Sequence, residues 1–124
     1  IVNDISGISS FFKKKKLWYN KFIPCNSGLD GTKLTLNFLK NFKKKNVSII
    51  IPLISLSNVM KIKKYLKNNK IRFETLLKED WPLPKKIVNK HLKDLIKFKE
   101  KNLINYKEKF GAFIAYTEVL LIKL

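Results

Sequence analysis

Lysine is the residue whose number and spacing promise chemistry in this chain, and it comes in blocks. Lys13, Lys14, Lys15 and Lys16 run together, Lys43, Lys44 and Lys45 form a second block, and Lys85, Lys86 and Lys90 crowd a third. An ammonium is a compact point charge that sits well against phosphate, and a run of them suits closely packed phosphates. Around the first block stand Phe11, Phe12, Trp18 and Tyr19, rings able to stack on unpaired bases or on a neighbouring protein. The alternative for that stretch is a solvated charge run beside a few core aromatics. Trp81 divides in the same way between stacking and core packing.

Residues for acid–base, nucleophilic or metal chemistry are scarce and scattered. His91 is the only histidine and is expected on the surface of a helix. Glu79 and Asp80 adjoin prolines and read as turn residues rather than an acid–base pair. Gly28 and Gly31 stand outside any phosphate-loop pattern. Cys25 is the only cysteine, which leaves no internal disulfide and no cysteine-cluster zinc site. The expectation is a protein that is not an enzyme and has no cofactor, no metal and no small-molecule substrate. A nuclease or modifying enzyme would require the fold to gather residues such as Glu74, Asp94 and His91.

The bulk charge agrees with the lysine blocks. The chain has 124 residues and a net charge of +18, from 27 basic against 9 acidic side chains. Self-repulsion of that size opposes compaction unless a polyanion neutralises it, so nucleic acid or an anionic membrane is the expected partner. With 45% apolar residues the chain can still bury a core. Arginine occurs once, at Arg72, so bidentate reading of guanine edges in a duplex is disfavoured. Lysine, asparagine and isoleucine fill 53 positions, the residues favoured by A/T-rich codons, as in an organelle genome or an A/T-rich protist nucleus. No apolar run is long enough to span a bilayer. The chain opens at Ile1 rather than methionine, which leaves room for an initiator or targeting segment ahead of it.

Elements to position these residues follow from periodicity and turn signals. Residues 1–46 read as a basic N-terminal arm, with a short helix over 32–42, and residues 47–124 as an α+β core domain. Val47–Ile54 is a β-branched strand that Pro52 restricts to an edge, a bulge or an early end. Leu56, Val59, Ile62 and Leu66 recur at helical spacing, with Lys61, Lys64 and Lys67 on the other side and Ser55 or Ser57 as the cap. Asn68 and Asn69 supply a left-handed stop. Ile71–Leu77 is a second strand, parallel to the first if both share a sheet, and residues 79–84 a rigid proline exit. Residues 86–106 are helical, Gly111 breaks the pattern, and 113–124 is a final strand.

The order strand, helix, strand, then Pro82-Leu83-Pro84 resembles the S-ten family of small-subunit ribosomal proteins. Lys107-Glu108-Lys109-Phe110 is similar to the step at which that family's chain returns into its next strand. The resemblance covers residues 47–124 and implies a small ferredoxin-like βαβ core that throws out a basic loop. It further implies a structural constituent of a ribosome, which the A/T-rich usage assigns to a mitochondrion or another organelle of an organism with an A/T-rich genome, with rRNA and neighbouring ribosomal proteins as partners. Lys13 to Lys16, Trp18, Tyr19, Lys43 to Lys45, Lys85, Lys86 and Lys90 would be the RNA-binding residues. The loop segment departs from the family, since Val88-Asn89-Lys90-His91 stands in scrambled order and reads as helix. The chain also reaches Leu124 before the family's last helix and strand. The reading from another class is a basic accessory subunit of a mitochondrial membrane complex, held against anionic lipid.

Overall fold

The computed structural model describes residues 7–14 and 27–124, without the side chains of Lys13 and Lys14. In chain order it runs α1 (Ser10–Lys14), α2 (Lys33–Asn41), β1 (Ser48–Ile54), α3 (Val59–Asn68), β2 (Arg72–Pro82), α4 (Lys85–Glu100), β3 (Lys107–Lys109) and β4 (Ala112–Lys123). The protein is α+β, with helices on a four-stranded antiparallel sheet.

β4 is the centre of that sheet. It pairs antiparallel with β1 from Thr117 to Lys123, with β2 from Ile114 to Lys123, and with β3 from Ala112 to Ile114. β1 and β2 are therefore parallel to each other with β4 between them. The Leu83 N–H donates to the Phe113 carbonyl at 2.7 Å, which occupies the β2 side of β4 and leaves β3 in line with β1 on the other. A central strand must be apolar on both faces, and AYTEVLLI in β4 is close to that. Pro52 is tolerated because β1 is an edge strand, whose outer side needs no ladder donor.

Strand alternation puts two cores on opposite faces at opposite ends of β4. Leu120 and Ile122 join Ile49, Ile51 and Leu53 of β1 under Leu36 and Leu39 of α2 and Val59, Ile62 and Leu66 of α3. Phe113 and Ala115 join Leu83, Leu95, Ile104 and Tyr106 on the other face. Ile8, Phe11 and Phe12 complete that second core. The described part of the segment expected as an arm therefore packs into the body of the protein. Hydrogen bonds from Ser9 N–H to the Leu56 carbonyl and from Ser10 N–H to the Gly28 carbonyl hold it there.

Four local expectations are corrected. The cap of α3 is Asn58, whose side chain accepts from the Lys61 N–H at 3.0 Å. Ser55 and Ser57 are buried, and their hydroxyls serve the sheet end instead, Ser55 accepting from Tyr116 N–H and Ser57 donating to the Ile54 carbonyl. The left-handed residue after α3 is Lys70 (φ 56°), one place beyond Asn69. Glu79, Asp80 and Pro82, expected as turn and exit, continue β2 in register with Thr117, Tyr116 and Ile114. The extended backbone that proline enforces is also strand geometry, and an edge strand accepts it.

His91, expected on a helix surface, is the fourth correction. It lies in α4 at a kink (φ −129°, ψ 24°) and is 8% exposed, with its ring edge-on to Phe11 at 5.9 Å. The cause is α1, which covers a side of α4 that would otherwise be solvated.

Candidate nucleic-acid interface

The two lysine blocks among the described residues do not converge. Lys15, Lys16, Trp18 and Tyr19 lie outside the described residues, as do the side chains of Lys13 and Lys14. Lys43, Lys44 and Lys45 are exposed in the connection that leads to Ser48 of β1, and Lys85, Lys86 and Lys90 are exposed on the first half of α4. Ser48 is opposite Lys123 and Pro82 is opposite Ile114. Nine steps along β4 at ~3.3 Å each put the two blocks at opposite ends of the sheet, about 30 Å apart. Trp81 is half-buried; its Nε1–H donates to Thr117 Oγ1 at 3.0 Å and its ring packs on the core around Leu83, so it serves the sheet.

A concave basic surface lies elsewhere, between α3 and the 101–106 connection that leaves α4. Its wider part, about 580 Å³, is lined by Met60, Lys61, Lys63, Lys64 and Lys67 of α3 and by Asn102. A narrower part, about 220 Å³, continues past Asn58, Met60 and Asn102 to Lys99, Asn105 and Tyr116. Asn58, Met60 and Asn102 line both, so the two are one groove, and among the described residues no carboxylate lines either part. Amphipathic spacing builds its α3 wall: Val59, Ile62 and Leu66 are buried against the sheet, which turns Met60, Lys61, Lys64 and Lys67 outward. Met60 is 68% exposed.

Two carboxylates behind the groove hold its upstream lysines. Lys61 Nζ donates to Asp30 Oδ2 at 2.6 Å, and the Asn58 N–H donates to the Asp30 carbonyl, so the 29–32 turn is pinned to the start of α3. Lys63 Nζ and Thr75 Oγ1 both donate to Glu118 Oε1 at 2.5 Å, which joins α3 to the sheet. Burial disfavours the charged form of both carboxyls. The hydrogen bonds from Lys61 and Thr32 to Asp30, and from Lys63 and Thr75 to Glu118, more than offset it and hold both below the usual carboxylate value. Burial, with Glu118 nearby, pushes the Tyr116 hydroxyl up, so it stays protonated. Lys64 and Lys67 have no ion-pair partner among the described residues, and Lys99 Nζ lies 4.5 Å from the centroid of the Tyr106 ring.

A second exposed feature is the β3–β4 hairpin. Phe110 and Gly111 both have positive φ (50° and 73°), as a type I′ turn requires. Phe110 is 97% exposed between Lys109 and the turn glycine, with Lys109 Nζ 5.7 Å from its ring centroid. Sequence reasoning had placed Lys61, Lys64 and Lys67 on one helix face, and that pattern was the signal for the groove. The other wall comes from a loop some 35 residues later in the chain, which no local pattern reveals. Among the described residues no group of three or more His, Cys, Asp or Glu side chains could hold a metal ion. No helix there is long and apolar enough to cross a membrane. No protein-family model matches the chain, and neither a curated protein nor a solved structure matches it.

Proposed function

We propose that this chain is a structural constituent of a mitochondrial ribosome that binds and stabilises rRNA through its lysine-rich surface, in the manner of the S-ten family of the small subunit. One observation carries the reading. Of the 21 lysines whose side chains are described, three are held by carboxylates, Lys61, Lys63 and Lys123. The remainder, from Lys33 to Lys109, have no ion-pair partner among the described residues and surround a packed α+β core. Charge left uncompensated on that scale suits a partner that brings a dense array of phosphates.

The strand arrangement lends the family reading support. β1 and β2 are joined through α3 and lie parallel about an antiparallel β4, an arrangement compatible with the βαβ opening proposed for a ferredoxin-like domain. Between β2 and the central strand stand α4 and β3, so a helix occupies the interval in which the S-ten family carries an extended basic loop, and there the chain departs from the family. Phe110, exposed beside Lys109, adds a ring for stacking on a base.

Sedimentation tests the proposal. The tagged protein is expected to travel with a mitochondrial ribosomal subunit at moderate salt and to leave it at high salt, since displaced counterions make phosphate contacts salt-sensitive. Flotation with vesicles of acidic lipid, without co-sedimentation with ribosomes, would replace this reading with that of a membrane-complex subunit.

A further inference from the structure

We infer that the groove between α3 and the 101–106 connection binds single-stranded RNA, with Lys64, Lys67 and Lys99 on backbone phosphates and one unstacked base in the narrow cleft. The inference rests on the RNA-binding function proposed above and assigns it a surface and a strandedness.

Charge is the first ground. Among the described residues, five lysines and no carboxylate line the groove. Asp30 and Glu118 hold Lys61 and Lys63 from behind, which stiffens the wall and leaves Lys64 and Lys67, three residues apart on one side of α3, to face a ligand. Size is the second. The narrow cleft, about 220 Å³, lies below the ~300 Å³ at which pockets for whole drug-sized ligands begin, and it suits one planar ring. Chemistry is the third. The cleft presents the Asn102 amide, the Asn58 amide group, whose Oδ1 already accepts from the Lys61 N–H, and the protonated Tyr116 hydroxyl, to which the Asn105 side chain is hydrogen-bonded. Amides offer a donor and an acceptor side by side, as base edges do. Met60 supplies an exposed, polarisable thioether for the face of a ring. A duplex keeps its bases stacked and cannot place one in a cleft, whereas a single strand can splay one out. A planar lipid surface cannot follow a concave wall.

The test is fluorescence anisotropy of the full chain with a labelled single-stranded RNA of mixed sequence, titrated at several salt concentrations. Lys64→Gln with Lys67→Gln is expected to flatten the plot of log K against log salt by about 1.4, at ~0.7 per phosphate contact on a single strand. Met60→Ala and Asn102→Gly are expected to weaken binding roughly fivefold or more while leaving that slope unchanged, since they remove base contacts. Glycine accepts the left-handed backbone at Asn102 (φ 55°), and all four positions are exposed, so thermal melts should match the wild type. A duplex of the same sequence should compete poorly.

An unchanged slope in the Lys64/Lys67 variant, with the loss appearing instead in Lys43→Gln/Lys44→Gln/Lys45→Gln, overturns the inference and leaves RNA binding standing. Equal competition by the duplex overturns the base cleft. Groove variants that lose binding to phosphatidylserine vesicles but not to RNA overturn it in favour of a lipid surface. Wild-type protein that binds no RNA at low salt overturns both this inference and the function on which it rests.

Discussion

Glu118 shows how a single residue couples the sheet to the basic surface. It is 3% exposed in the central strand, where an unpartnered carboxylate would be costly, and Lys63 and Thr75 both reach its Oε1. Removing the cation by Lys63→Met leaves a buried charge and is expected to lower stability by about 2–3 kcal/mol, below the range for a fully buried pair because Lys63 is part-exposed. Urea unfolding at neutral pH checks it. The pH dependence has a defined sign. The native carboxyls of Glu118 and Asp30 sit below their ordinary values, so their contribution is present above the ordinary carboxylate range and is lost as pH falls from there through the lowered values. Glu118→Gln should make the acid-side loss of stability shallower, and an unchanged pH profile would count against the pairing. At Phe110 stability and function are expected to oppose each other. An exposed aromatic at φ 50° strains the turn, and Asn-Gly is the favoured pair there. Phe110→Asn should raise stability by about 1 kcal/mol and weaken RNA binding if the ring stacks on a base.

Among the elements, the short helix α1 changes most about the protein. Phe12 is fully buried, and Phe11 lies 4.7 Å from the Phe98 ring and edge-on to His91. A stretch that reads either as a basic arm or as a charge run beside core aromatics thus places two of those aromatics in one core, and it decides that the only histidine is buried. Phe12→Ala is expected to destabilise the whole protein by about 3–5 kcal/mol, whereas loss of a free arm would leave the unfolding midpoint unchanged. The same region holds a close backbone approach. A Cβ on Gly31, at φ 72°, would lie 2.6 Å from Ser57 Cβ and 2.7 Å from the Ile8 carbonyl carbon. The glycine is therefore required both for its conformation and for its lack of a side chain. On the far edge of the sheet, β2 carries a bulge between Thr75 and Leu77, and Arg72, Glu74, Lys78, Glu79 and Asp80 are exposed along it. Bulge and charge together discourage another chain from pairing there.

At the scale of the molecule, +18 on 124 residues sets the behaviour in solution. Repulsion among exposed lysines opposes the folded state, and salt screens it. The melting temperature is expected to rise with ionic strength in the absence of RNA, a trend that scanning calorimetry can follow. Bound RNA should raise it further at low salt and contribute less as salt weakens the complex. A melting temperature independent of salt would show the charge already compensated within the fold.

Much of the architecture was legible along the chain. The β-branched run at 47–54, the helical spacing from Val59 to Leu66 and the apolar stretch after Gly111 each name their element, because burial on one face or two leaves a periodic trace in the local sequence, whereas Leu56, read into that helix, precedes it and packs in the other core. A large excess of positive charge was legible for a similar reason: net charge is a sum over residues and needs no geometry. Three features became visible only in three dimensions. β4 enters between β1 and β2, α1 docks on α4 and buries His91, and the loop after α4 meets α3 to close a groove. Each depends on contacts between segments far apart in sequence, which a local pattern does not encode. Part of the basic surface therefore belongs to none of the three lysine blocks that stand out in the sequence. Its lysines are spread over α3 and the end of α4, and it becomes a groove because a distant loop supplies part of the other wall.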